Sequence, residues 1–379
     1  MTHDLASLQT DWMRIARREN NKKRGYLLVN PLQAKHMPVS PSKALALFSQ
    51  LADLIRAAHP HDRFLVVGFA ETATAIGAAV AASLGESTHY VHTTRESLSN
   101  CAPLVHFDET HSHAVEQLLY CPMWKHWIAE ADHLLFIEDE LTTGHTLINI
   151  VQALSHHALL RDSLRITAAS LLNGMQQADF NLFRDQNIGC HYLFPINRAH
   201  LHRAFDQHTW DGPSPDRQAV PSGQFSSIEL HQRPEPRMGL SATAYNAATY
   251  AFAQKALSHL PALSSDDSIL VLGTEECMHP ALLLGEQLEQ NGHRVSVHAT
   301  TRSPIEPRTS AGYPLFERFP LPSVYDPSRK TFIYNLAQYD YAIIATDAAP
   351  NRARQGLEAL AGALQAHTCA DISVFHWLP

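Results

Sequence analysis

Short, continuous apolar runs alternate with alanine-rich or amphipathic segments along most of this chain, and this alternation constrains the fold more than any other feature. In the first half the runs include FLVVGF (64–69), HLLFIED (133–139) and RITAASLL (165–172), separated by segments such as ETATAIGAAVAASLG (71–85). Strands that are apolar on both faces are typical of parallel sheets covered by helices. The pattern therefore predicts βαβ units and an α/β fold with mainly parallel sheets.

A polar, proline-rich stretch at 210–239 separates two regions of strand–helix alternation. Such composition buries little apolar area and is typical of a boundary. Beyond it the pattern resumes with SILVLGT (268–274), a helical segment and RVSVHATT (294–301). We therefore predict a first domain at 1–209, a linker at 210–239 and a second domain at 240–379.

The two halves of the sequence resemble each other at a nearly constant spacing. HYVHTTRES (89–97) has a counterpart in VSVHATTRSP (295–304). Further aligned pairs are Gly68 with Gly273, Arg95 with Arg302 and Asp139 with Asp347, at offsets of 205, 207 and 208 residues. Alternation is common to all α/β domains, but it does not explain the shared Thr-Thr-Arg. We therefore predict two units of one fold, the second a degenerate repeat of the first.

The charge and the apolar pattern exclude several classes of protein. The 379 residues carry a formal net charge of −8 and no basic stripe, which argues against a nucleic-acid partner. Apolar runs are shorter than a membrane span, and the N-terminal MTHDLASLQTDWMRIARREN lacks the apolar core of a signal peptide. Five dispersed cysteines without a CxxC pair are typical of reduced thiols. We expect a cytoplasmic protein with no membrane partner.

Three consecutive carboxylates, Glu138, Asp139 and Glu140, stand at the end of a predicted strand and precede a hydroxyl-rich turn. In a parallel sheet, ligands bind beyond the carboxyl ends of the strands. The turn TTGHT (142–146) leads into a helical segment, and a helix N-terminus with nearby hydroxyl groups suits a phosphate. The glycine allows close backbone approach. The junction thus combines a phosphate site with carboxylates suited to sugar hydroxyls or to a developing cation.

The sequence LLFIEDELTTGHT (134–146) resembles the phosphoribosyl pyrophosphate (PRPP) motif of type I phosphoribosyltransferases at each position of that motif. The resemblance implies that Glu138 and Asp139 bind the ribose hydroxyls and stabilise an oxocarbenium-like transition state. It also implies Mg²⁺, held mainly through PRPP, with those two acids as candidate protein ligands. The implied PRPP-binding residues are Glu138, Asp139, Glu140, Leu141, Thr142, Thr143, Gly144, His145 and Thr146. The alternative is a capped acidic turn without a ligand.

Loops after the two preceding strands would complete such a site. In type I phosphoribosyltransferases the loop after the first strand cradles pyrophosphate through backbone amides. Here that loop would comprise Gly68, Phe69, Ala70, Glu71 and Thr72. Arg95 ends the second strand and is the candidate residue that reaches pyrophosphate and assists catalysis; its alternative is a structural salt bridge.

A mobile lid is expected to follow Arg95, at 97–120. Its candidate substrate contacts are Glu109, His111, Ser112 and His113. A zinc site at His106, His111 and His113 is an alternative for the same segment.

Four segments together resemble a narrower group, the ComF-like phosphoribosyltransferases of tellurium-resistance-type gene clusters. They are RENNKKRGYLLVNPLQAKHMPVSP, HTTRES, FDETHSHA and FIEDELTTGHT. In that family a TRSP domain follows the phosphoribosyltransferase, and the tetrad Thr301-Arg302-Ser303-Pro304 matches the hallmark of that domain. The resemblance implies a role in making a nucleoside- or nucleotide-like metabolite associated with stress or phage response. Together with the repeat, it predicts two type I phosphoribosyltransferase-like α/β units. In addition, residues 17–41 and those after Leu171 would build a variable hood that selects the base.

The second half departs from the PRPP pattern. Where the first half has EDELTTGHT, the second has ATDAAPNRA, which retains one carboxylate, Asp347, and no phosphate loop. Its polar loops nevertheless predict a second ligand site, made of Gly273, Thr274, Glu275, Glu276, Thr301, Arg302 and Ser303. Either Arg302 faces an anionic group of a ligand, or it pairs with Glu275 or Glu276 and only fixes the loops.

Three hypotheses of function follow. The first is an Mg²⁺-dependent phosphoribosyltransferase whose partners are PRPP and a base-like small molecule, and which makes or cleaves a nucleotide-like metabolite. The second is a PRPP- or nucleotide-binding regulatory module without turnover. The third is ribosyl chemistry without pyrophosphate, in which the TRSP half acts on a linked metabolite. The base, the direction of reaction and the assembly, for which a homodimer is one candidate, are left open.

Overall fold

The structure is a computed structural model that describes residues 10–19, 24–98, 101–108, 116–208, 210–367, 369 and 371–379. Its strands are β1 (Arg14–Arg17), β2 (Tyr26–Val29), β3 (Phe64–Gly68), β4 (His89–His92), β5 (Val105–Asp108), β6 (Glu116–Leu119), β7 (His133–Leu141), β8 (Arg165–Asn173), β9 (Ile188–Pro195), β10 (Ser226–Leu230), β11 (Leu240–Ser241), β12 (Ser268–Gly273), β13 (Arg294–Ala299), β14 (Arg318–Pro322), β15 (Lys330–Tyr334), β16 (Tyr341–Thr346) and β17 (Asp371–Trp377). Its α-helices are α1 (Pro41–Ala58), α2 (Ala73–Leu84), α3 (Trp124–Glu130), α4 (His145–His156), α5 (Gln177–Asp185), α6 (Arg198–Gln207), α7 (Ala242–Ser258), α8 (His279–Gln290) and α9 (Pro350–Gln365).

The chain packs into two compact units that interleave along the sequence. The central unit comprises Ala46–His200 and Pro234–Ala247, and the terminal unit comprises Met1–Leu45, Leu201–Arg233 and Ala248–Pro379. Within the predicted linker, β10 pairs in parallel with β17, so part of that stretch is built into a sheet. Most residues of β10 are exposed, so its sequence is polar and lacks the apolar pattern that predicts a strand. The domain boundaries given above stay a prediction.

The central unit contains a sheet in the order β11-β4-β3-β7-β8-β9. All its strands run parallel except the short β11, which pairs antiparallel with β4 at the edge. Residues 64–68 and 133–137 are buried along their whole length, as expected for strands covered on both faces. The chain winds in opposite directions from β3 and β7, and their carboxyl ends therefore flank the topological switch point, where such sheets bind ligands.

The terminal unit contains a sheet in the order β10-β17-β16-β12-β13, and all neighbouring strands in it are parallel. The predicted α/β class with parallel sheets is therefore confirmed. Numbered along the chain from β3 and from β12, the first four strands of each sheet lie in the order 2-1-3-4. Each unit also has an antiparallel ribbon, β5–β6 or β14–β15, between its second and third of these strands. Descent of the two units from one duplicated unit stays a prediction.

The segment before α1 belongs to the terminal unit. β1 and β2 pair antiparallel, and Val39 exchanges backbone hydrogen bonds of 3.1 and 2.7 Å with Val297 of β13. The buried Lys35 places its Nζ 3.5 Å from the carbonyl oxygen of Thr300. The described part of 17–41, interpreted above as a hood beside the first half, therefore forms part of the terminal unit.

Small residues let the helices of the central unit lie close to its sheet. α2 is rich in alanine and largely buried, and a Cβ added at Gly77 would lie 3.0 Å from the Cα of Gly68. This close approach fixes the start of α2 next to the end of β3. Across both units, no helix among the described residues is long and apolar enough to cross a membrane.

Candidate functional site

The parallel register brings three predicted loops to one edge of the central sheet. Gly68, the last residue of β3, pairs with Ile137 of β7 and with His92 of β4. Two backbone bonds extend this edge: Phe69 N–H donates to Ile137 O at 3.0 Å, and Thr93 N–H donates to Gly68 O at 2.9 Å. The loops after β3, β4 and β7 therefore leave the sheet side by side at the switch point.

The three predicted carboxylates occupy the end of β7. Glu138, Asp139 and Glu140 precede its final residue, and they are partly exposed, whereas the five residues before them are buried. Successive side chains of a strand point to opposite faces, so Glu138 and Glu140 project to one face and Asp139 to the other. The strand end thus offers carboxylate oxygens on both of its sides, where a ligand at the edge can reach them.

The turn after β7 requires a glycine for two reasons. Gly144 has φ 72°, in the left-handed region, and caps α4, which begins at His145, one residue before the predicted Thr146. A Cβ at Gly144 would also lie 2.2 Å from Cε1 of Phe183. The turn is therefore pressed against α5, and the hydroxyl-bearing Thr142, Thr143 and Thr146 flank the N-terminus of α4, whose amides attract anions.

Arg198, which the sequence motif does not include, anchors this turn. Its Nη1 donates to the carbonyl oxygen of Thr142 at 2.7 Å, and its Nη2 donates to Asp179 Oδ2 at 3.2 Å. Asp179 also accepts from the backbone N–H of Gln176 at 2.8 Å, which ties it to the start of α5. The pairing was invisible in the sequence, because Arg198 lies more than fifty residues beyond the motif and carries no pattern of its own.

If the turn after β7 binds PRPP, as the sequence motif predicts, removing this anchor should weaken that binding. Arg198→Ala deletes charge-assisted hydrogen bonds worth about 1.5–3 kcal/mol in general, so we expect a roughly 10–100-fold rise in the KM for PRPP with a smaller change in kcat. Steady-state kinetics of pyrophosphate release measure both constants. Arg203→Ala, at an exposed position of the same helix α6, is the matched control and should leave KM unchanged. Equal KM values in all three proteins would contradict the anchoring role.

The loop after β3 is held from within. Ala70 N–H donates to Thr93 Oγ1 at 2.8 Å, and the buried Gln117 donates from Nε2 to Ala70 O at 3.0 Å and accepts from Thr93 Oγ1. The Ala70–Glu71 peptide is cis. Of the predicted loop, the amides of Phe69 and Ala70 have protein acceptors, and Glu71 and Thr72 lie next to the start of α2.

Arg95 follows the end of β4, directly after a residue that locks the ribbon to the sheet. Thr94 exchanges backbone hydrogen bonds of 2.9 Å each way with Leu118 of β6. The predicted lid contacts Glu109, His111, Ser112 and His113 lie outside the described residues. His106 lies in the described part of the ribbon, where its Nδ1 is 2.9 Å from Glu116 Oε1 on the opposite strand.

The residues predicted for the second site come from two loops of the terminal unit. Gly273, Thr274, Glu275 and Glu276 end or follow β12, and Thr301, Arg302 and Ser303 follow β13. Thr300 N–H donates to Gly273 O at 3.1 Å and joins the loops. Arg302 Nε donates to Oε2 of the buried Glu275 at 2.6 Å. Arg302 therefore pairs with a glutamate, and its contact with a ligand stays a prediction.

A separate group of ionisable residues lies at the opposite, amino-terminal edge of the central sheet. His59, Asp62 and His133 have potential metal-ligating atoms within 4.8 Å of one another. The protein itself accounts for them, however: His133 Nδ1 is 3.1 Å from Asp62 Oδ2, His133 Nε2 is 2.7 Å from Thr167 Oγ1, and Arg165 Nε donates to Asp62 at 3.0 Å. This arrangement is a hydrogen-bonded cluster with a neutral His133.

That cluster should make the protein acid-sensitive. Burial lowers the pKa of His133 to about 4, although the hydrogen bond with Asp62 and the charge of Asp62 act to raise it. In the unfolded chain this histidine binds a proton near pH 6.5, whereas in the folded chain it binds one only near pH 4. The free energy of unfolding therefore falls as pH decreases through that window, by at most about 3 kcal/mol. Urea unfolding at pH 7.5 and pH 4.5 measures the loss. His133→Gln should show a smaller loss, and an equal one would contradict this role.

Comparison with known proteins finds two family matches along this chain. Residues 12–196 match the family described as phosphoribosyl transferase, and residues 235–364 match the family described as the TRSP domain C-terminal to PRTase_2, which is that same transferase family. The curated proteins include no match. The first match places residues 12–196 in a phosphoribosyl transferase family. With the second, the chain has a match to a phosphoribosyl transferase domain followed by a match to a TRSP domain, and the predicted order of these two domains is confirmed.

Similar solved structures include APRTase from Giardia lamblia complexed with 9-deazaadenine, at 14% identity over 52% of this chain and 100% of that chain, with a TM-score of 0.35. Adenine phosphoribosyltransferase from Leishmania donovani is 17% identical over 51% of this chain and 80% of that chain, with a TM-score of 0.35. Orotate phosphoribosyltransferase from Aeropyrum pernix is 12% identical over 44% and 78%, with a TM-score of 0.27.

Proposed function

We propose that the central unit is an Mg²⁺-dependent phosphoribosyltransferase that uses PRPP and a base-like acceptor to make or cleave a nucleotide-like metabolite. The observation that carries this proposal is the junction of β7 and α4. Partly exposed carboxylates end a buried strand, and a glycine-capped, hydroxyl-rich turn follows at once. This junction lies at the switch point of a parallel sheet, where α/β proteins bind their ligands.

The turn and the strand end take different parts of the substrate. Thr142, Thr143 and Thr146, with the first amides of α4, hold the 5-phosphate, because a helix N-terminus and hydroxyl donors both favour an anion. Glu138 and Asp139 accept hydrogen bonds from the ribose hydroxyls. As the bond to pyrophosphate breaks, positive charge develops on the ribose ring, and these fixed carboxylates stabilise it without having to reorganise.

The pyrophosphate group lies toward the loop after β3. In the proposal the loop at 68–72 contacts it, and Arg95 neutralises part of its charge. The half-buried carboxylates of Glu138 and Asp139 fit Mg²⁺, which prefers oxygen ligands and keeps several waters. When bound, Mg²⁺ neutralises charge on the leaving pyrophosphate. Gln117 holds the loop after β3, and Arg198 holds the turn after β7. These contacts supply the positioning of substrate groups on which such a reaction depends.

The experiment that tests this function is release of pyrophosphate from PRPP and Mg²⁺ in the presence of a panel of purine and pyrimidine bases. Base-dependent release is the expected result. Binding of PRPP without release for any base would favour the regulatory module instead.

The terminal unit, in this proposal, binds a second ligand or substrate at the loops after β12 and β13. The link to tellurium resistance and stress response stays a prediction.

A further inference from the structure

The loop after β12 contains a buried carboxylate held by two guanidinium groups. Glu275 is 1% exposed, and its Oε2 accepts from Arg302 Nε at 2.6 Å and from Arg329 Nη2 at 3.1 Å. Its Oε1 accepts from Ser323 Oγ, which also accepts from Arg329 Nη2 at 3.1 Å. Ser323 and Arg329 both lie in the connection between β14 and β15, so this connection and the loop after β13 converge on one side chain.

This loop has the same internal bonds as the predicted pyrophosphate loop of the central unit. Ala70 N–H donates to Thr93 Oγ1 at 2.8 Å, and Glu275 N–H donates to Thr300 Oγ1 at 3.1 Å. Three further bonds of the central unit have counterparts in the terminal unit. Thr93 N–H donates to Gly68 O as Thr300 N–H does to Gly273 O, and the backbone of Thr94 pairs with Leu118 as that of Thr301 does with Phe332. Glu96 N–H donates to Thr94 Oγ1 as Ser303 N–H does to Thr301 Oγ1. Glu275 therefore stands where the central unit has Ala70.

The glycines that begin the two loops agree with this correspondence. A Cβ at Gly68 would lie 2.7 Å from the carbonyl oxygen of Ala73, and a Cβ at Gly273 would lie 2.6 Å from that of Cys277. Each chain thus turns sharply back on itself directly after the strand. What differs is the side chain on the loop: a methyl group at Ala70, and at Glu275 a carboxylate directed to the arginine that corresponds to Arg95.

We propose that the carboxylate of Glu275 takes the place of a ligand's anionic group, so that the terminal unit excludes pyrophosphate and PRPP from its copy of the pyrophosphate loop. The proposal rests on the function proposed for the central unit, because that function defines the corresponding loop as a pyrophosphate loop. The ligand of the terminal unit then brings no diphosphate.

The charges explain the exclusion. Arg302 and Arg329 carry two positive charges, and Glu275 neutralises one of them inside the protein. A buried charge needs partners of opposite sign, so the two arginines and the glutamate stabilise one another as a set. A pyrophosphate entering the loop would bring several negative charges next to the fixed carboxylate, in surroundings where water screens little. Without that carboxylate, the same two guanidinium groups would form an anion site.

Counting bound pyrophosphate tests the proposal. Equilibrium dialysis of radiolabelled pyrophosphate with Mg²⁺ against the full chain should give one molecule per chain for the natural sequence and two for Glu275→Ala. Glu275→Gln, which removes the charge and keeps the size, should also give two. The matched control Glu286→Gln, on α8 and hydrogen-bonded to Tyr250, should stay at one. If Glu275→Ala folds less stably, added pyrophosphate should restore its Tm more than that of the control.

The outcomes separate this inference from the function of the central unit. Two molecules bound by the natural sequence, or one bound by both folded Glu275 variants, would overturn the inference. No pyrophosphate bound by the natural sequence and one by each Glu275 variant would support the inference while contradicting the pyrophosphate site of the central unit. No binding by any of the proteins would overturn both.

Discussion

Asp139→Asn is expected to lower the rate of pyrophosphate release at saturating PRPP by roughly 10²–10³-fold, about 3–4 kcal/mol of transition-state stabilisation. Asparagine keeps the shape of the side chain and loses its charge, so it still accepts a ribose hydroxyl and no longer stabilises the cationic ring. The fold should survive, because Asp139 is partly exposed at a strand end. Stopped or continuous assays of pyrophosphate measure the rate, and denaturant unfolding checks the stability.

Asp162→Asn provides the matched control for that result. Asp162 is exposed in the connection between α4 and β8, away from the strand end. The control should retain the full rate. Unchanged turnover in Asp139→Asn, or an equal loss in both variants, would reject the assignment of Asp139 to the reacting centre.

Gly144→Ala is expected to have the second large effect, on both stability and binding. The left-handed backbone costs a non-glycine residue about 1–2 kcal/mol, and the added methyl group would overlap Phe183, which costs typically about 1–3 kcal/mol more. Relief of that overlap requires the turn to move away from α5. We therefore expect a loss of about 2–5 kcal/mol in the free energy of unfolding and, in the protein that remains folded, a loss of PRPP binding.

Gly85→Ala separates the two causes. Gly85 also has a positive φ, 111°, but an added Cβ there would meet no atom within 4 Å. This control should lose stability through backbone strain alone and should bind PRPP normally. A Gly144→Ala variant that binds PRPP as tightly as the natural sequence would show that the position of the turn does not matter for the ligand.

The sheets were predictable because their strands are buried on both faces. Continuous apolar runs such as 64–69 and 134–137 leave few alternatives to a parallel sheet. The strand–turn–helix context of the acidic motif was predictable for a related reason, since local patterns specify each of its three parts. Glycine and hydroxyl residues mark the turn, and the helical spacing that follows marks the start of α4 to within one residue.

Residues that act across long sequence separations were not predictable. Gln117 and Arg198 hold the two loops of the central site, yet each is an ordinary polar residue until the fold brings it to its partner. Ser323 and Arg329 at Glu275 are similar cases. The edge strand β10 escaped detection because exposure on most of its length removes the apolar signal. No local pattern encodes such contacts.

The shared Thr-Thr-Arg of the two halves has a physical explanation. In each unit the first threonine accepts the loop amide through its hydroxyl group, as Thr93 does for Ala70 and Thr300 for Glu275. The second threonine pairs its backbone with the ribbon. The hydrogen bonds that hold this loop therefore explain the shared residues. The two units differ in the side chain on the loop, which is Ala70 in the central unit and Glu275 in the terminal unit.

Isothermal titration of PRPP with Mg²⁺ into the full chain is the most direct test of the central claim, that the turn between β7 and α4 is a PRPP site. The account predicts one PRPP bound per chain. It also predicts affinity at least about tenfold weaker in a Thr143→Val, Thr146→Val double variant, which keeps the side-chain shapes and removes two hydroxyl donors to the 5-phosphate. No binding by the natural sequence, or equal affinity in the double variant, would contradict it.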